Sequence, residues 1–180
     1  MRTLFLLCLF AVLIDIDSLS QSVCNNLIVE AVNRGTYTFQ NKQGGHQPPF
    51  YYILELSLHN KTQKTCEFLT FNCTPMGNML IDSKKYKVCA PICPGNTIMP
   101  IKLKSDQKFC IKVIIQTDVE ELYDSIRVGW IYLNYENTKD VDDFHEKLGQ
   151  AHLKSTDYVI WSKKVNLRHD HSDQIEIKNN

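Results

Sequence analysis

The chain has 180 residues, 43% of them apolar, and sets 20 basic against 20 acidic side chains for a formal net charge of +0. That length is enough for one domain with a real hydrophobic core. The neutral balance gives no electrostatic basis for nucleic acid or an anionic membrane surface as partner.

The first element is a leader. Arg2 precedes an almost unbroken apolar run from Leu4 to Ile14, and Ser18 and Ser20 bracket Leu19 as at a cleavage site. This reads as a secretory signal peptide over residues 1–20. A single domain is expected over residues 21–167 and a polar tail over 168–180, where only Ile175 and Ile177 are apolar. No later stretch approaches the roughly 20 apolar residues needed to cross a bilayer, so the mature chain is expected to have no transmembrane segment. Its expected place is secreted or extracellular, or periplasmic or at the cell surface for a bacterial chain.

Short strands follow. Leu27 to Val32 open the fold, and Gln43 to Pro49, with Gly44-Gly45 and Pro48-Pro49, is a loop by composition. Tyr52, Leu54, Leu56 and Leu58 alternate with Ile53, Glu55, Ser57 and His59, the period of two that a half-buried strand requires. Asn60 to Gln63 supply a polar turn before Cys66 to Phe71, which predicts a hairpin between the two strands. Met99, Ile101 and Leu103 form a strand whose Pro100 places it at a sheet edge or a bulge. Phe109 to Gln116 and Ile126 to Tyr135 are the clearest strands. The second is apolar on both faces, which argues for a central position and a core role for Trp130. Val141, Phe144 and Leu148 recur at helical spacing after Asp140, predicting a short helix over Asp140–Leu148 that stops at Gly149. Val159 to Leu167 is the last strand, with a bulge at Ser162 to Lys164.

The expected fold is all-β: an antiparallel β-sandwich of immunoglobulin-like architecture, with about seven or eight strands and one short helix, stapled by disulfides. The immunoglobulin signature of two core cysteines flanking a tryptophan is absent, since Trp130 and Trp161 both follow the last cysteine.

Six cysteines follow the leader: Cys24, Cys66, Cys73, Cys89, Cys93 and Cys110. In an exported chain an even number reads as a disulfide framework. Their order suggests two bridges within Cys66, Cys73, Cys89 and Cys93, leaving Cys24 for Cys110. A four-cysteine zinc site is the competing reading; an oxidising destination favours bridges, so no metal and no cofactor is expected.

Catalytic signals are sparse. His145-Glu146 begins like a zinc-protease helix, but Gly149 stands where the second imidazole belongs. His169 and His171 fall in the polar tail, and His46 and His59 have no evident partner. Glu120, Glu121 and Asp124 read as a charged loop beside Tyr123, and no nucleophile elbow or phosphate-binding glycine loop occurs. Two sequons, Asn60-Lys61-Thr62 and Asn72-Cys73-Thr74, mark Asn60 and Asn72 as glycosylation candidates in a eukaryotic secretory pathway, Asn60 the more readily because it lies in a turn. The expected function is a non-catalytic binding module for a protein or glycan of unknown identity. Phe50-Tyr51-Tyr52, Tyr86 and Tyr123 are its first candidate contacts, with core or rim packing the commoner role for any single one of them. Alternatives are a small-molecule carrier in a β-barrel cavity and, less favoured, an exported hydrolase.

Overall fold

The structure, a computed structural model, describes residues 27–38, 50–118, 123–154 and 158–168. The leader, Cys24, the 43–49 loop, His46, Glu120, Glu121, His169, His171 and the tail beyond Arg168 lie outside them. The described residues are mostly antiparallel β-strand, with one α-helix and one disulfide among them. In order come β1 (Leu27–Thr38), β2 (Phe50–Asn60), β3 (Cys66–Phe71), a 3-10 turn (Pro75–Asn78), β4 (Met79–Ile81), β5 (Lys87–Cys89) and β6 (Ile98–Leu103). Then follow β7 (Lys108–Thr117), β8 (Tyr123–Ile126), β9 (Val128–Ile131), α1 (Val141–Leu153), β10 (Val159–Trp161) and β11 (Val165–Arg168).

Eleven strands among the described residues exceed the seven or eight expected. The predicted Ile126–Tyr135 strand divides at Arg127 into β8 and β9, and the last strand divides at 162–164 into β10 and β11. The short β4 and β5 carry too few residues to show a period.

The largest sheet has the order β1-β2-β7-β5. The alternation read in β2 is real: Tyr52, Leu54, Leu56 and Leu58 are all fully buried. Each such leucine is worth about 1.5–3 kcal/mol of burial. The predicted β2–β3 hairpin does not form. β2 is paired along both edges, to β1 and to β7, so it has no edge left for β3, which pairs with β6 instead. β6 has that one partner, as Pro100 requires.

β9 lies between β10 and β4, and all four of its residues are buried. Gly129 is needed there: a Cβ would meet Val159 Cγ1 at 2.7 Å and the Trp161 ring at 3.0 Å. Trp130 is fully buried in one cluster with β1, β2 and β7 side chains, edge-on to Phe68 at 5.7 Å and to Phe109 at 6.1 Å. Its indole N–H is buried without an acceptor, a cost of about 1–3 kcal/mol that the surrounding aromatic packing offsets.

The helix outruns its prediction. Asp140 caps it by accepting from the Asp143 N–H at 2.9 Å, but it passes through Gly149 and ends at Leu153. Ala151 continues the buried stripe of Phe144 and Leu148. That packing overrides the roughly 1 kcal/mol by which glycine disfavours a helix interior.

Candidate functional site

The cysteines place the most distinctive surface feature. Cys73 is joined to Cys93, while Cys66, Cys89 and Cys110 are unbridged among the described residues, so the second of the two bridges expected within Cys66, Cys73, Cys89 and Cys93 is not formed. The remaining two belong to different sheets: Cys66 starts β3 opposite Leu103, and Cys89 ends β5 opposite Ile114. The pairing of Cys24 with Cys110 falls outside the described residues on one side, and Cys110 is exposed on β7. Among the described residues the four cysteines of the competing zinc reading do not converge, since Cys73 and Cys93 form the bridge and Cys66 and Cys89 lie in different sheets.

The bridge ties the segment after β3 to the loop between β5 and β6. Lys87–Cys89 is held on β7, and Ile98–Leu103 is held on β3, so both ends are anchored in sheets. Residues 72–74 grip its base. The Asn72 N–H donates to Thr97 O at 2.9 Å, and the Thr97 N–H donates back to Asn72 Oδ1 at 3.0 Å. The Cys73 N–H donates to Asn96 Oδ1 at 3.2 Å, and Asn96 Nδ2 donates to Thr74 Oγ1. Pro94-Gly95 makes the turn, with Gly95 at φ +85°, where a side chain would be strained. At the apex, between Pro91 and Cys93, Ile92 is 99% exposed. An isoleucine held out this far on a cross-linked loop has no packing role among the described residues.

The aromatic residues proposed as contacts are mostly not on the surface. Phe50, Tyr52 and Tyr86 are core residues; Tyr52 meets Tyr86 edge-on at 6.0 Å, and the Tyr86 hydroxyl donates to Asp124 Oδ2 at 2.9 Å. Only Tyr51 of that group is half-exposed among the described side chains. Asp124 is thereby engaged in support of the core.

The sequons diverge. Asn60 is fully buried at the end of β2. Its Nδ2 donates to Lys64 O and Leu103 O, each at 2.8 Å, and to Lys104 O at 3.2 Å. Its Oδ1 accepts from the Thr62 N–H at 2.9 Å, the Thr62 hydroxyl at 2.7 Å and the Cys66 thiol at 3.2 Å. Its own N–H and C=O bind Gln107 O and the Asp106 N–H. Asn60 thus fastens the end of β2, the turn to β3 and the β6–β7 turn together. Asn72 is exposed.

His59 beside it is also buried, its ring Nε2 2.8 Å from Asp106 Oδ1, a partner that sequence separation concealed. Lys61 Nζ reaches the same oxygen at 2.8 Å. The Lys61 ammonium first, and His59 second, hold the Asp106 carboxyl below its ordinary range. His145 lies on the exposed side of α1 against Phe71, and Glu146 accepts from Gln150 at 2.9 Å. Among the described residues no three of His, Cys, Asp and Glu come together as metal ligands. Burial pushes the Cys89 thiol up, away from the thiolate that nucleophilic chemistry requires. No helix among the described residues is long and apolar enough to cross a membrane. Compared with known proteins, the chain matches no family model and no curated sequence.

Proposed function

We propose that this chain is a secreted, non-catalytic interaction module, an immunoglobulin-like β-sandwich whose working surface is the cross-linked 90–97 loop. The observation that carries the reading is Ile92, 99% exposed at the apex of a segment tied down by two sheets, four hydrogen bonds and the Cys73–Cys93 bridge. Little ordering entropy opposes association through a loop held this way. A branched apolar side chain with no polar atom suits an apolar pocket on a protein rather than a sugar ring. The packing of Phe68, Phe109 and Trp130 supports a filled interior over a carrier cavity.

Ile92→Asp tests the assignment, because an exposed apex residue is replaceable within about 0.5 kcal/mol of stability. Wild-type protein immobilised against extracellular proteins of its source should retain a partner that Ile92→Asp binds at least about tenfold more weakly, with unchanged melting. Equal binding by both would remove the loop from the interface. Turnover of peptides, glycans or esters above background would replace the binding reading with a hydrolase.

A further inference from the structure

We infer that Asn72 is the chain's N-glycan acceptor and that Asn60, despite its sequon, is a structural amide that carries none in the folded protein. The inference rests on export through a eukaryotic secretory route.

Transfer joins the anomeric carbon of an oligosaccharide to the amide nitrogen. The sugar–phosphate bond of a polyprenyl-pyrophosphate donor breaks, the lipid pyrophosphate leaves, and Nδ2 loses one proton. The product amide keeps one N–H and carries a bulky, hydrated substituent on the nitrogen. At Asn60 that nitrogen faces three carbonyl oxygens in a site with no exposure. A substituted nitrogen has one hydrogen left for three acceptors, and no space for a sugar. A glycan there would expel Asn60 from the junction of three chain segments.

At Asn72 the constraints reverse. The residue is exposed, Oδ1 is held by the Thr97 N–H, and Nδ2 makes no hydrogen bond among the described residues. The nitrogen is therefore the free end of an amide whose oxygen is already fixed, and a sugar on it breaks no contact. Thr74, the third residue of this sequon, is buried and accepts from Asn96. The enzyme that reads its hydroxyl must therefore act before the loop base closes.

The experiment expresses the full chain behind a heterologous leader in eukaryotic cells, so that delivery does not depend on the chain's own leader. Glycopeptides from the secreted, folded fraction are then mapped. The expected result is a glycan on the Asn72 peptide and none on the Asn60 peptide, with Asn72→Gln losing one enzymatically removable glycan from its mass. A glycan on Asn60 in folded protein overturns the inference. So does secreted protein bare at both sites, or an Asn72→Gln product that keeps its glycan. Secretion driven by the chain's own leader is scored separately, and its failure counts against export rather than against the choice between the asparagines.

Discussion

Asn60-Lys61-Thr62 and Asn72-Cys73-Thr74 are tripeptides of one pattern, one starting on the last residue of β2 and the other just after β3. In the first, the amide points inward and organises six side-chain hydrogen bonds around itself. In the second, the amide stays at the surface with one such bond among the described residues, and a disulfide at the middle residue ties the segment to the 90–97 loop. Similar composition therefore yields two different fastenings. A buried amide is strong because unpaired alternatives are costly in a low dielectric. An exposed one competes with water, so closure there falls to a covalent bond.

The largest expected effect is at the inward turn. Asn60→Ala leaves several buried donors and acceptors unpaired and should cost on the order of 4 kcal/mol, whereas Asn72→Ala should stay within about 0.5 kcal/mol. Urea unfolding of both variants measures the contrast, and equal losses would erase the distinction between the turns.

Next is the covalent turn. Replacing Cys73 and Cys93 together by Ser opens a loop with a sequence separation of 20. On the chain-entropy model the loss is about 3 kcal/mol. Amide exchange sharpens the comparison: the Cys73 and Thr97 amides should lose protection, while the Thr62 and Asp106 amides near Asn60 keep theirs. Uniform loss across both turns would show that they are one cooperative unit.

The smallest effect concerns charge at the inward turn. The Asp106 carboxyl titrates below its ordinary value because Lys61 and His59 favour its ionised form. Its contribution is therefore complete above that ordinary value and is lost as pH falls through the lowered folded one. In an acid titration followed by carboxyl resonances, Asp106 should titrate below the ordinary aspartate value, and Asp106→Asn should remove this part of the acid sensitivity while tolerating the φ of +62°. An unshifted midpoint would dissolve the pairing with Lys61 and His59.

What the sequence determined by itself are the features governed by neighbouring residues. The alternation of β2 and β7, the burial of Trp130 and the start of α1 at Asp140 were all readable, because side-chain direction along a strand and capping at a helix end follow from local backbone geometry. Only the tertiary structure decided what depends on contacts distant in sequence. It paired β3 with β6 rather than β2, carried α1 through Gly149, joined Cys73 to Cys93 while leaving Cys66 unbridged, and drew Phe50 and Tyr86 inside. It also turned Asn60 inward, 43 residues from the Leu103 carbonyl it binds. A polar residue in a turn carries no local mark of burial. Its amide is paid for by acceptors that arrive only when remote segments fold against it.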